Sequence, residues 1–241
     1  MRVTGQLCMV AAVVMATGCV TGLADFISVQ ASGDIVTVEP VVENFSRVQT
    51  GHGCRLTVVP SNDHSVLVRI DDNVRDDLEV DVDDSTLRIQ LKSGRNYRNL
   101  HCEVDVAMPD IDGVRLSGGA RGNVSDFALD HAFEARMSGG SRLEGTFTAA
   151  HLDVTVSGGA SADLSGSSDS ASLRGSGGGH ITLADWRTAS ADVTFSGGSR
   201  GSIDVRDELT GRVSGGGSIS YVDAPRNIDV SRSGGGRVGQ Q

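Results

Sequence analysis

Any chemistry in this chain would have to come from a short list of side chains. Residues Asp71 to Asp84, DDNVRDDLEVDVDD, carry eight carboxylates, a composition that suits Ca2+. Their spacing is not that of an EF-hand loop, and the glycine-rich repeats that follow lack the aspartate of a calcium-binding roll, so the run reads as a solvated acidic turn. His52, His64, His101, His131, His151 and His180 fall at no close metal-ligand spacing and read as turn or surface residues. The one G-x-S-x-G match, Gly197 to Gly201, falls inside the glycine-rich repeat rather than on a strand-to-helix elbow, and no H-E-x-x-H motif occurs. The residues therefore point to no catalytic set, no metal and no cofactor.

A glycine-rich loop can also cradle a phosphate, and Ser-Gly-Gly has that outline. A phosphate loop is needed once, whereas Ser-Gly-Gly begins at Ser117, Ser138, Ser157, Ser176, Ser196, Ser214 and Ser233, at intervals of 21, 19, 19, 20, 18 and 19 residues. Such a period marks a stacked repeat. The glycines involved are Gly118 and Gly119, Gly139 and Gly140, Gly158 and Gly159, Gly177 and Gly178, Gly197 and Gly198, Gly215 and Gly216, and Gly234 and Gly235. They are expected to be architectural, turning the chain at a corner where adjacent coils approach closely, with the serine hydroxyl bonding the local backbone.

The flanking residues define what each corner joins. Immediately before Ser stand Leu116, Met137, Val156, Gly175, Phe195, Val213 and Arg232; three before stand Val114, Ala135, Val154, Leu173, Val193, Gly211 and Val230. Between these columns run Arg115, Arg136, Thr155, Arg174, Thr194, Arg212 and Ser231. Apolar residues two apart around a polar one give the strand period. A second alternating segment follows the glycines, with Leu143, Ala162, Ile181 and Ile219 five after Ser and Val124, Leu164, Leu183 and Ile203 seven after. Strands this short bury their inner faces only by stacking, so the expected fold is an all-β, single-stranded parallel β-helix of about 19–20 residues per coil. HAF, TAAH and DWRTA would form a variable third side. With 38% hydrophobic but only 4% aromatic residues, a thin core of small aliphatics is expected.

Residues 113–241 form the regular repeat. Residues 41–112 alternate less regularly and are expected to be the strand-rich N-terminal part of the same domain, covering an end of the helix that would otherwise expose strand edges. Arg232 in an apolar column predicts a weak last coil.

Ahead of this domain the sequence has the layout of an export signal. In residues 1–18, MRVTGQLCMVAAVVMATG, Arg2 is the only charge and an apolar run too short to span a bilayer comfortably follows it. Ala16-Thr17-Gly18-Cys19 resembles a bacterial lipobox, which would lipidate Cys19 and leave residues 19–40 as a tether. An ordinary cut after Ala24 is the alternative. The expected place is the outer membrane or cell surface, held through a lipid anchor, or else the periplasm or medium. With a net charge of -10 and Lys92 as the only lysine, nucleic acid is not an expected partner.

Cys54 and Cys102 each share a strand face with aliphatic neighbours. In an oxidising compartment they can pair if their backbones stack, and two buried free thiols are the alternative.

The order of segments FSRVQTGHGCRLTVVPSNDHSVLVRIDDN, LEVDVDDSTLRIQL and EVDVAMPDIDGVRLSGGA, followed by the SGG repeats, resembles the bacterial autotransporter adhesin head GIN domain family over about Phe45 to Gly236. The resemblance implies an exported, right-handed β-helix and brings no catalytic residues with it. Two functions stand open. One is a non-enzymatic, adhesin-like envelope module presenting a rigid β surface to envelope glycans or surface proteins. The other is a polysaccharide lyase or hydrolase on the same scaffold, using Arg115, Arg136, Arg174 and Arg212 beside Glu134, Asp153, Asp192 and Asp229 as a groove for an acidic glycan. The outward columns otherwise read as a self-compensating charge ladder, and sugar-stacking aromatics are scarce.

Overall fold

The computed structural model describes residues 27–241. The signal peptide expected over residues 1–18, Cys19 and the alternative cut after Ala24 lie outside the described residues. The fold is nearly all-β, 64% strand and 3% helix, and forms a parallel β-solenoid of about seven turns.

Two long ladders carry the stack. The first runs through Thr86–Leu91, Arg47–Thr50, Gly113–Leu116, Ala132–Met137 and His151–Val156. It continues through the later halves of Ser161–Gly175, His180–Phe195 and Arg200–Val213 and ends on Asn227–Arg232. The second runs through Cys102–Met108, Arg55–Pro60, Arg121–Ala128 and Arg142–Thr148, then the earlier halves of the same three long strands. It ends on Ser218–Tyr221 and Arg237–Gln240. A short third ladder pairs Phe147 with Gly166, Gly166 with Trp186 and Thr188 with Val205, and makes the third side of the coil.

Order along the chain and order in the stack differ at the N-terminal end. Arg47–Pro60 lies between the strands of residues 86–108 and those of 113–128. The change at residues 112/113 is thus one of regularity, not a break in the stack. Parallel growth stops because the chain reverses: Leu78–Asp83 pairs antiparallel with Thr86–Leu91, Ser65–Asp71 with Cys102–Met108, and Ile35–Val38 with Ser65–Asp71. Within the stretch 19–40 expected as a tether, Ile27–Gln30 and Ile35–Val38 are paired strands of this cap.

The core follows the alternation read from the repeats, with Val114, Ala135, Val154, Leu173 and Val193 buried in one column. It also holds large side chains from the third side, which the sequence reading left as variable. Phe147 and Trp186 are buried there, 5.0 Å apart between ring centroids, and Phe133, at the start of its first-ladder strand, is buried against Phe147 at 4.6 Å. Trp186 donates its indole N–H to Ser168 Oγ at 3.0 Å, which satisfies the one polar atom the ring brings inside.

The acidic run is a second departure from the sequence reading. Asp71 and Asp77 are buried rather than solvated. Asp71 accepts backbone N–H bonds from Gly33 at 2.8 Å and His101 at 2.7 Å; Asp77 accepts from Arg95 at 2.6 Å and Tyr97 at 3.2 Å. These carboxylates fasten the cap to itself, which is why their burial is tolerated.

Candidate interaction surface

The Ser-Gly-Gly corners stack into a continuous edge. The first glycine of every repeat has positive φ, whereas among the second ones only Gly119 does. Gly158, at φ +65°, shows why the first position is constrained: a Cβ there would stand 3.2 Å from the carbonyl oxygen of Gly139 in the preceding coil. The second glycine has a different task. Gly159 donates its N–H to Gly139 O at 2.9 Å, Gly178 to Gly158 at 2.8 Å, and Gly198 to Gly177 and Gly216 to Gly197 at 2.7 Å. The ladder hydrogen bonds therefore continue around the corner.

The serine hydroxyls of the motif contribute less than expected. Ser157 and Ser214 reach preceding-coil carbonyls only at 3.4 and 3.5 Å, at the limit of a hydrogen bond. Their main-chain groups close the turn instead, as in Ser157 N–H to Met137 O at 3.0 Å. The better-placed hydroxyls sit at the small residue after Gly-Gly: Ser199, fully buried, donates toward Ser196 O at 2.7 Å and Gly175 O at 3.0 Å. The recurrence of Ala, Ser or Gly at this position was the available signal.

On the outer face of the first ladder the arginine and acid columns are adjacent, as the strand parity requires. Arg174 meets Asp153 at 2.9 Å and Arg136 pairs with Glu134. The structure does not bring the whole set together: Arg115 and Arg212 have no carboxylate within ion-pair distance among the described residues. Arg115, Arg136, Gln49 and Thr155 line an open groove of about 370 Å³. A larger one, about 540 Å³, follows the third side past Asp130, Asp169, Arg187 and Arg206. Arg187 there is held by Asp204 at 3.3 Å and Arg206 by Asp207 at 2.8 Å. The hydrogen bond from Arg206 holds the Asp207 carboxyl below the usual carboxylate range.

At the cap, Cys54 and Cys102 are joined, with Sγ atoms 2.16 Å and Cα atoms 4.7 Å apart. They can meet because Arg55 and Glu103, the next residues, are ladder partners in adjacent coils. Burial alone would raise the Glu103 carboxyl, yet the hydrogen bond from Arg69 and the charges of His101, Arg69 and Arg55 hold it below its ordinary value. His131 directs Nε2 at Asp110, 2.9 Å away, and Nδ1 at the Ala132 carbonyl at 3.1 Å. The Asp110 hydrogen bond, then that of Ala132, raises its pKa. Burial, followed by the charge and hydrogen bond of Asp77, pushes Tyr97 up to about 12. His52, His64, His101, His151 and His180 are not gathered with His131; no group of three or more His, Cys, Asp or Glu side chains placed to hold a metal ion occurs among the described residues.

Taken together these features are a packed rod with polar outer columns, open grooves and a fastened cap. Known structures share the shape. A "putative adhesin" from Bacteroides fragilis superposes with a TM-score of 0.81 at 20% identity, covering 88% of this chain and 100% of that one. A "putative lipid binding protein" from Parabacteroides distasonis gives 0.71 at 19%, covering 89% and 99%, and a "putative adhesin" from Parabacteroides merdae gives 0.66 at 16%, also covering 89% and 99%. No curated protein matches the sequence. The family model described as "Putative auto-transporter adhesin, head GIN domain" matches residues 44–225, three quarters of the chain, and the protein belongs to that family.

Proposed function

We propose that this protein is an exported, adhesin-like component of the bacterial envelope, anchored through a lipid at Cys19, that works by presenting a rigid β surface rather than by turnover. The observation that carries this reading is the side-chain-filled core: in the parallel coils from Val48 to Ile219 the inward apolar side chains are buried, leaving the outer faces and their open grooves as the available surface. Family membership supports the same direction. Envelope glycans or surface proteins are the partners this reading expects.

A polysaccharide-acting enzyme is the competing reading, and the groove with the unpaired Arg115 is the feature that favours it. One experiment separates the two. The purified protein is incubated with envelope polysaccharides and with envelope protein extracts, and both retention and product release are measured. Retention without new chain ends supports the surface module; release of oligosaccharides, lost in Arg115→Ala, would replace it with the enzyme.

A further inference from the structure

Two of the three exposed large apolar side chains among the described residues lie on the end strands of the rod. Ile35, in the cap, is 42% exposed and Ile228, in the last coil, is 41% exposed, while Val41 lies in the connection between Ile35–Val38 and Arg47–Thr50. Elsewhere the solenoid keeps such residues inside, so the position of Ile35 and Ile228 at the two tips calls for a physical reason.

At the C-terminal end both ladders stop on open strands, Asn227–Arg232 and Arg237–Gln240. Ile228, Val230 and Arg232 continue the inward column of Leu209, Gly211 and Val213, yet no further strand among the described residues covers them. At the N-terminal end Leu78–Asp83 closes the first ladder and Ile35–Val38 the second. Their inward residues, Leu78, Val80, Val82, Val36 and Val38, are only partly buried. Among the described residues each tip thus offers two strand edges above half-covered apolar columns, the arrangement that invites another strand.

Strand direction and charge select the occupant. Leu78–Asp83 runs against the coils, whereas Ile35–Val38, reversed twice, runs with them. A second copy shifted along the rod axis would therefore extend the first ladder by an antiparallel pair, Asn227–Arg232 with Leu78–Asp83. It would extend the second by a parallel pair, Arg237–Gln240 with Ile35–Val38. Residues 78–84 carry Glu79, Asp81, Asp83 and Asp84 and no basic residue, a net charge of -4. Residues 226–241 carry Arg226, Arg232 and Arg237 against Asp229, giving +3 - 1 = +2. Like ends repel and unlike ends attract.

We propose that the C-terminal coil of one molecule docks on the N-terminal cap of a second copy, joining rods head to tail. The contact is heterologous, so it leaves one free tip of each kind and extends to a third copy. It stands independently of the adhesin-like reading.

Sedimentation of the purified full chain tests this. The average mass is expected to rise above that of the monomer with concentration and to fall back as salt screens the unlike ends. Val230→Pro removes a donor from the open edge and blocks the C-terminal tip. Glu79→Lys with Asp81→Lys makes the cap tip basic. Each variant alone should remain monomeric; mixed, they should form pairs and nothing larger, since one keeps a native cap and the other a native last coil. Ile228→Gln, which leaves the strand intact, should weaken association about tenfold or more. A monomer at every concentration, variants that associate like the unaltered chain, or a mixture that makes no pair would each overturn the head-to-tail contact.

Discussion

Phe195 occupies the space that Gly175 leaves in the preceding coil. A Cβ on Gly175 would stand 2.7 Å from the Phe195 ring, and one on Gly201 would stand 2.5 Å from it. The ring is fully buried against both glycines. Gly175→Ala should therefore cost about 1–3 kcal/mol by overpacking, and Phe195→Ala about 3–5 kcal/mol by leaving a cavity. In a Phe195→Leu background the cost of Gly175→Ala should shrink, because the two sites share one space. Urea unfolding of the four variants reads this out; additive effects would mean that the ring is not lodged there.

That pair also shows where sequence reading stops. Alternation around Ser-Gly-Gly was visible because each coil repeats the same inward columns, and the solenoid follows from it. Gly175 looks like a gap in those columns, since nothing in one coil says which neighbour fills the space, and Gly211, at φ +132° against the Val193 backbone, looks the same for a different reason. Gly166 is a similar case: a Cβ there would meet the Phe147 carbonyl and lie 3.2 Å from Trp186, so the third side makes room for the aromatic cluster. The insertion of Arg47–Pro60 between later strands was equally hidden, because strand patterns carry no label for their partner. Asp71 and Asp77 looked solvated because their amide and arginine partners come from segments remote in sequence. Of the charge columns, parity was legible, but which arginines find a carboxylate depends on side-chain reach between coils.

The Cys54–Cys102 crosslink is expected in protein exported to an oxidising compartment. Peptide mass spectrometry without reduction should recover the two peptides joined. Replacing both by Ser should lower stability by about 2–5 kcal/mol, given the 48-residue separation. Two alkylatable thiols in protein never exposed to reductant would show that the crosslink does not form.

Stability should depend on pH through His131 and Glu103, with opposite signs. The raised His131 makes its full contribution below the ordinary histidine value of about 6.5 and loses it as pH climbs through the folded-state value. The lowered Glu103 contributes above the ordinary carboxylate range and loses this as pH falls through its folded-state value. His131→Gln should flatten the alkaline side of a urea-midpoint profile and Glu103→Gln the acid side. Profiles that superpose on the unaltered protein would remove both assignments.

Lipid attachment at Cys19 predicts that Cys19→Ser moves the protein from the membrane fraction to the soluble one. The Ala-Thr-Gly-Cys stretch motivates the test. A soluble unaltered protein beginning at Asp25 would instead establish the ordinary cut.

The role of Ser-Gly-Gly as a load-sharing corner of stacked coils is tested most directly by urea unfolding of Gly158→Val, Gly159→Val and Thr155→Ser. Gly158 has positive φ and faces the Gly139 backbone, so valine there should cost about 1–3 kcal/mol. Gly159 keeps its N–H bond when substituted, and its Cβ would lie 3.6 Å from Gly139 O, an ordinary contact, so the cost should be clearly smaller. Thr155 faces outward from the ladder and should change stability by no more than about 0.5 kcal/mol. The predicted result is that order of midpoints, with Gly158→Val lowest. Coincident midpoints for Gly158→Val and Thr155→Ser would contradict the stacked corner.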